Sequence, residues 1–248
     1  IRPVRIKVAN ARGAPTLGIT VLLASLSMIS PLSIDTFLPS FPTIAEEYGI
    51  SDWKVQQIIT AYLLPFAFFA LVHGPLSDAL GRRRVVIGGL VLYTAGSIGC
   101  FLAPTFGTLL FCRVLQGLAA GIGPTVARAV VRDLFEGTNA QRLMSSMMLV
   151  FSLAPAVAPI IGGWVHVSMG WRWVFGMLVV LGGALMVACM VLLPETHPPE
   201  KRSAFNVRAL IGSCWRVATG ASFFLLAISA ALAIAAVFIY IGSAPAII

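Results

Sequence analysis

Three polar residues lie within or beside long apolar runs, where an uncompensated polar group is costly. Arg113 is surrounded by apolar residues, Gln116 follows it by one helical turn, and Asp35 lies near the end of an earlier run. A cation near the middle of a lipid bilayer costs on the order of 3 kcal/mol or more, so it should face a cavity or a partner. We predict that Asp35 is a protonatable carboxylate whose affinity for a proton, and for a cationic or polar substrate, depends on its distance from Arg113. The alternatives are an arginine that reaches the outer headgroups and an aspartate hydrated in an outer loop.

A basic turn separates the second and third apolar runs. It reads Gly-Pro-Leu-Ser-Asp-Ala-Leu-Gly-Arg-Arg-Arg from Gly74 to Arg84. Gly81 can adopt left-handed backbone angles in a tight turn. Asp78 can pair with the arginines or with the positive end of a helix. The alternative is a solvated turn whose arginines reflect only the excess of basic residues in the cytoplasmic connections of membrane proteins.

The fifth apolar run carries small residues and prolines at a spacing of four. The small residues allow a neighbouring helix to approach closely, and the prolines bend the helix at a defined place. Taken alone, this pattern is also typical of ordinary transmembrane packing. The residues are Ala154, Pro155, Ala158, Pro159, Gly162 and Gly163.

The composition indicates an all-α polytopic membrane protein. Of the 248 residues, 58% are hydrophobic and 10% are charged, so the chain lacks the polar surface of a soluble globule. The net charge of +8 is spread in small groups between apolar runs, which excludes a nucleic-acid-binding face. The four cysteines show no metal-binding spacing. We predict no metal and no cofactor.

Runs of lipid length predict seven spans. They lie near Leu17–Leu38, Val55–Gly74, Val85–Ala103, Phe106–Ala127, Leu143–Val167, Trp173–Leu193 and Val217–Ile241. Basic residues cluster before the first span and in alternate connections, which predicts a cytoplasmic N-terminus. We predict a cytoplasmic segment 1–16, a six-helix domain 17–193, a cytoplasmic linker 194–216 and a seventh span in 217–248. Because the chain starts without Met and stops soon after the seventh span, we expect a fragment that lacks a C-terminal half.

The segment Gly74 to Arg84 resembles the loop signature between the second and third helices of the major facilitator superfamily, with Ser77 in place of the usual alanine. The resemblance implies that Gly74, Asp78, Gly81 and Arg82 act in the inside–outside conformational change. Three charged residues at the end of the fourth span resemble the bicyclomycin/chloramphenicol-resistance subfamily of this superfamily and are expected to pair with the Asp78 turn at the cytoplasmic gate: Arg128, Arg132 and Asp133.

Two further segments resemble proton-coupled antiporters of the same superfamily. Leu109 to Gly117 is similar to the fourth-helix signature, whose arginine is associated with proton coupling. The fifth-span pattern is similar to the antiporter signature, with Ala154 and Ala158 replacing glycines. The Ile-Asp-x-x-Leu-Pro pattern that begins at Ile34 resembles the bicyclomycin/chloramphenicol-resistance subfamily.

The resemblance implies the N-terminal six-helix bundle of a facilitator, built as an inverted repeat of three plus three spans, with a seventh helix. It implies proton-coupled multidrug efflux by alternating access, and hence antibiotic resistance, in the inner membrane of a bacterium. The expected partners are a small-molecule drug, protons, the lipid bilayer and the missing half, with no nucleic acid. Export or uptake of a metabolite, or an inactive truncated transporter, are the alternatives. No nucleophile elbow, His-Glu-x-x-His pair or paired intramembrane carboxylates indicate an enzyme.

Overall fold

The structure is a computed structural model that describes residues 15–202, 205–220, 223–229 and 231–232. Within these residues, six helical spans are long and apolar enough to cross a membrane, which confirms the six spans predicted before residue 194. The helices are α1 (Leu17–Asp35), α2 (Phe41–Tyr48), α3 (Asp52–Val55), α4 (Gln57–Leu80), α5 (Arg82–Phe101), α6 (Phe106–Ala120), α7 (Ile122–Leu134), α8 (Gly137–Met169), α9 (Trp171–Leu192) and α10 (Val207–Ala218).

Several helices differ in length from the predicted spans. The second span was expected to end at Gly74, but α4 continues to Leu80 because Pro75 removes only one N–H donor from the helix. The fifth begins at Gly137 instead of Leu143, since polar residues beyond the lipid can still be helical. These differences arise because the length of an apolar run reflects how much of a helix lies in lipid. Backbone hydrogen bonding, which decides where the helix begins and ends, can extend beyond that run.

The fourth span is interrupted between α6 and α7, and side chains from two other helices bond to the interruption. Pro124 has no N–H, so the Ala120 carbonyl lacks its helical donor. The Ser30 hydroxyl of α1 donates to that carbonyl at 3.0 Å. The Nε2 of His73 on α4 donates to the Leu118 carbonyl at 2.9 Å. Polar groups from the first two spans therefore stabilise the interrupted part of the fourth span.

The helix packing agrees with the predicted inverted repeat. α1 packs on α8 as α6 packs on α4, and the third and sixth spans, α5 and α9, pack on each other. If the first, second and third spans are exchanged with the fourth, fifth and sixth, each of these pairs of packed helices becomes a pair in the same set. An odd number of spans per repeat reverses the direction of the second copy relative to the membrane.

The segment after α9 folds back onto the basic turn. A carboxylate oxygen of Glu195 accepts a hydrogen bond from the backbone N–H of Arg82 at 2.9 Å. The Thr196 hydroxyl donates to Asp133 at 2.9 Å. The first residues of the predicted linker 194–216 therefore contact the six-helix domain.

By its internal contacts the chain divides into two units, Ile1–Ala204 and Phe205–Ile248. The second unit contains α10, which continues past residue 216, where the linker was predicted to end. About half of the predicted seventh span, Val217–Ile241, lies outside the described residues. The predicted domain boundaries stay predictions.

Candidate functional site

Arg113 lies on α6 and is fully buried, with 0% of its surface exposed. Its Nη1 donates to the Ser33 carbonyl at 3.0 Å and to the Gln116 side-chain oxygen at 2.9 Å. Its Nε donates to the Ile58 carbonyl at 3.4 Å. Its Nη2 has no hydrogen-bond partner within the described part of the chain. The alternative of an arginine that reaches the outer headgroups is therefore wrong.

The end of α1 takes the place of a counter-ion for this guanidinium. Among the described residues, no carboxylate oxygen lies within 4.0 Å of it. α1 ends at Asp35, so the Ser33 carbonyl belongs to the last turn, where carbonyls lack helical donors and the helix dipole is negative. Arg113 is therefore stabilised by partial negative charges and not by an ion pair.

Three aromatic rings surround the guanidinium and form what we call the aromatic cage. The guanidinium carbon lies 4.3 Å from the ring centroid of Phe37, 4.5 Å from that of Tyr62 and 5.8 Å from that of Phe175. The negative faces of such rings attract a cation. Sequence reasoning missed Phe37 and Phe175 as members of the site. The three rings of the cage come from separate parts of the chain, so the spacing of residues within one helix could not predict it.

Gln116 connects Arg113 to a polar network inside the bundle. Its amide nitrogen donates to the Ser97 hydroxyl at 2.7 Å, so both ends of the side chain are bonded. The hydroxyls of Ser33 and Tyr93 lie 2.5 Å apart next to this network. Spans one, three and four thus share hydrogen-bonded polar groups in a buried region.

Asp35 is 8% exposed and forms the last residue of α1. The alternative of a hydrated outer-loop aspartate is therefore wrong. The structure places Asp35 two residues from Ser33 and two from Phe37, both of which contact Arg113. It does not bring Asp35 into a direct ion pair with Arg113. The dependence of its proton affinity on Arg113 stays a prediction.

Arg82 is the centre of the basic turn, with 8% of its side chain exposed. It forms ion pairs with Asp78 at 2.5 Å and with Asp133 at 3.1 Å, and it donates to the Ser77 hydroxyl at 2.5 Å. The expected contact between the end of the fourth span and the turn is therefore present, through Asp133. Gly81 has φ 101° and connects α4 to α5, as a glycine in a tight turn should.

The remaining residues predicted at this gate take no part in the ion pairs that Arg82 forms with described residues. Arg132 precedes Asp133 and is exposed. Arg128 donates to the carbonyl of Pro124 in its own helix at 2.9 Å. Gly74 lies within α4, and no described atom would lie within 4 Å of a Cβ added there. Their part in a conformational change stays a prediction.

The small residues of the fifth span face α1. Ala154, Ala158 and Gly162 are buried, whereas Pro155 is exposed and Pro159 and Gly163 are partly buried. A Cβ on Gly162 would collide with the carbonyl oxygen of Thr36, so this glycine permits close contact between the helices.

A cavity of about 260 Å³ lies between α1, α7 and α8. Methionine and phenylalanine side chains form most of its wall, and Arg128 supplies a charge. Flexible, polarisable methionines adapt to ligands of different shape. The lining residues are Ser27, Pro124, Arg128, Met144, Met147, Met148 and Phe151.

Six membrane-crossing helices in an inverted repeat, with a buried cation beside their shared polar network, define the class of secondary transporters. The chain belongs to the Major Facilitator Superfamily, which it matches over residues 23–247. Membership of this family of transporters confirms the predicted superfamily and the prediction that the protein is not an enzyme.

The chain is similar to several bacterial transporters. It is 33% identical over 238 residues to the uncharacterized MFS-type transporter YdgK of Bacillus subtilis, covering 95% of this chain and 59% of that protein. It is 34% identical to the bicyclomycin resistance protein homolog of Haemophilus influenzae, covering 73% and 45%. It is 26% identical to multidrug resistance protein D of Escherichia coli, covering 78% and 50%. The chain spans about half the length of these relatives.

A solved structure supports the fold. The human organic anion transporter MFSD10 (TETRAN) superposes with a TM-score of 0.63 at 20% identity, over 78% of this chain and 52% of that chain. At this identity the likeness concerns the fold alone.

Proposed function

We propose that the transporter containing this chain exports small-molecule drugs from a bacterial cell across the inner membrane, coupled to the inward flow of protons. The observation that carries the proposal is the fully buried Arg113, whose Nη2 lacks a partner in the described residues. Burying a guanidinium without a carboxylate is costly. The presence of such an arginine is explained if the protein needs an available cation at this position for its function.

The proposed coupling uses Asp35 as the proton carrier. In this proposal a deprotonated Asp35 attracts Arg113, and a shift of the last turn of α1 brings the two groups closer. A protonated Asp35 loses this attraction, and Arg113 stays with the Ser33 carbonyl and Gln116. Because Ser33 and Asp35 lie on the same turn, protonation biases the position of the outer end of α1.

The proposed inner gate is the basic turn. Arg82 joins the turn to Asp133 at the end of the fourth span, and Gly81 allows the chain to turn there. We propose that Gly74, Asp78, Gly81, Arg82 and Arg132 form and release these contacts as the transporter alternates between its two states. The close contact of α8 with α1 at Gly162 lets movement of the outer end of α1 reach the fifth span.

The drug site is proposed to include the methionine-lined cavity between α1, α7 and α8. Its adaptable wall suits substrates of varied shape, and relatives of this chain are named for resistance to bicyclomycin and to multiple drugs. The relatives are about twice as long as the part that this chain matches. This length supports the proposal that transport requires a second half, with the drug held between the two.

Efflux in everted membrane vesicles tests the proposal. A proton gradient is imposed on vesicles that contain the complete transporter. The accumulation of a fluorescent drug inside the vesicles is then followed with and without an uncoupler. Asp35→Asn is expected to abolish gradient-driven accumulation while drug binding persists. Asp52→Asn removes an exposed carboxylate from the same predicted side and serves as the matched control.

Two results would contradict the proposal. Unchanged gradient-driven accumulation in the Asp35→Asn variant would exclude Asp35 as the proton carrier. Drug accumulation in right-side-out vesicles under an inward proton gradient would indicate uptake instead of export.

A further inference from the structure

A second cavity, of about 340 Å³, opens at the predicted cytoplasmic face, where α5 begins and the segment after α9 folds back. Three arginines and one glutamate line it, together with one isoleucine and one proline. No step of the proposed transport cycle uses this cavity. The lining residues are Arg83, Arg84, Ile87, Glu195, Pro199 and Arg202.

The positive charges of this basic pocket exceed the negative ones. Glu195 lies 3.9 Å from Arg202, and it also accepts hydrogen bonds from the backbone N–H groups of Arg82 and His197. Among the described residues, Arg84 takes part in no ion pair and is exposed. One carboxylate therefore balances only one of three guanidinium groups.

Arg83 is held in place within the pocket. Pro194 has no N–H and cannot donate to the Met190 carbonyl at the end of α9. Arg83 donates to that carbonyl through Nη2 instead. The Nε of Arg83 is buried and has no hydrogen-bond partner in the part of the chain that the structure describes. A buried donor without an acceptor is costly, so an oxygen-rich ligand would improve this site.

The pocket continues into an apolar surface along α5. Ile87 lines the pocket, and Val91 and Ile98 follow it on the same face of the helix at intervals of four and seven residues. Val91 is 51% exposed, and Val187 on the neighbouring α9 is 56% exposed. Both helices cross the membrane, so these side chains face lipid. The combined surface is charged at the membrane face and apolar below it.

We propose that the basic pocket binds the phosphate of an anionic phospholipid, whose acyl chain lies along the exposed residues of α5. Arginine pairs with phosphate through two parallel hydrogen bonds, and basic pockets at the cytoplasmic ends of membrane helices suit lipid headgroups. The first turn of α5 adds the positive end of its helix dipole, although the N–H of Arg82 already donates to Glu195. The bound headgroup ties α5 to the segment after α9 and stabilises the six-helix domain.

Thermal unfolding of the full chain in detergent tests the proposal. The probes are a short-chain phosphatidylglycerol, a phosphatidylcholine with the same acyl chains, and inorganic phosphate. The midpoint of unfolding is expected to rise with phosphatidylglycerol in a saturable manner and to change little with the other two. Native mass spectrometry then counts the bound lipids.

Substitutions locate the site. Arg84→Gln is expected to weaken phosphatidylglycerol binding on the order of fivefold, as the loss of one arginine near an anionic lipid should. Arg202→Gln provides a second variant should the first fail to fold. Arg142→Gln removes an exposed arginine near the start of α8, on the same predicted face, and is expected to leave binding unchanged.

Three outcomes would overturn the proposal. An equal response to phosphatidylcholine would show that headgroup charge is not recognised. A full response to inorganic phosphate alone would assign the pocket to a free anion. An equal loss of binding in the Arg84→Gln and Arg142→Gln variants would indicate a diffuse electrostatic effect.

Discussion

Gly81 and Gly170 have nearly the same backbone conformation at opposite ends of the helical bundle. Gly81 has φ 101° and ψ 143°, and Gly170 has φ 92° and ψ 161°. Each glycine ends one helix and begins the next, between α4 and α5 in one case and between α8 and α9 in the other. These turns are equivalent in an inverted repeat of three spans, so the repeat extends to the backbone geometry of its turns.

Alanine at either glycine is expected to destabilise the protein. A positive φ at a non-glycine residue costs on the order of 1–3 kcal/mol. Gly81→Ala should cost more than Gly170→Ala, because its Cβ would lie 2.5 Å from a carboxylate oxygen of Glu195 and would displace the carboxylate that accepts from the Arg82 N–H. No described atom lies within 4 Å of a Cβ on Gly170. Thermal unfolding in detergent measures the difference.

A third glycine provides the control for that comparison. Gly88 is helical, and no described atom would lie within 4 Å of its added Cβ. Gly88→Ala should therefore leave stability unchanged or raise it by up to about 1 kcal/mol. Equal unfolding midpoints for Gly170→Ala and Gly88→Ala would contradict the argument from backbone angles.

Adjacent glycines in α8 should respond differently to alanine. Gly162→Ala places a Cβ against the Thr36 carbonyl, and overpacking of this kind costs roughly 1–3 kcal/mol. Gly163→Ala brings its Cβ only to 3.9 Å from Pro39, an ordinary contact, so its effect should be small. Unfolding midpoints of the two variants compare them directly, and similar losses would argue against close packing of α1 on α8.

The bond from Ser30 to the Ala120 carbonyl should matter only while Pro124 is present. Ser30→Ala leaves that buried carbonyl without a donor, at a cost of about 1–3 kcal/mol. Pro124→Ala restores an N–H that can donate to the same carbonyl within the helix. In the Pro124→Ala background, the cost of Ser30→Ala should therefore fall.

A double-mutant cycle measures this coupling from four unfolding free energies. Thr20→Ala is the control, because its hydroxyl bonds to the carbonyl of Thr16, four residues before it and ten residues or more from Ser30. If the effects of Ser30→Ala and Pro124→Ala simply add, the proposed exchange of donors is wrong.

Glu47 joins the end of α2 to the start of α9. It accepts hydrogen bonds from the indole N–H of Trp171 and from Arg172, each at 2.5 Å. Glu47→Gln should lower the free energy of unfolding by about 1 kcal/mol, since the ion pair is partly exposed and contributes little beyond the indole bond. Glu46→Gln, at the exposed neighbouring position, should have almost no effect. Tryptophan fluorescence during thermal unfolding would report both, and equal effects would contradict the assignment.

The sequence was sufficient to predict the six spans before residue 194 and the turn between the second and third. Lipid-length apolar runs are a local property, and the glycine of a tight turn is recognisable from its neighbours. The sequence also predicted that Asp133 pairs with this turn, but it made the same prediction for Arg132. One residue along a helix rotates a side chain by about 100°. Only the packed structure shows that Asp133 pairs with Arg82, while Arg132 takes part in no ion pair with a described residue.

Trp171 illustrates the same limit. A tryptophan at a span end is typical of a ring at the headgroup level, yet Trp171 is 3% exposed and packs against Tyr48. A tryptophan at a helix end has the same local pattern whether it faces lipid or a neighbouring helix.

By itself, the sequence determined the family, the six spans and the presence of a charge that lipid could not solvate. Only the tertiary structure decided what surrounds that charge: the end of α1, the side chain of Gln116 and rings from three parts of the chain. Lipid length and turn chemistry act between residues close in sequence. The environment of Arg113 depends on which faces of distant helices meet, and that is set by the packing of the whole bundle.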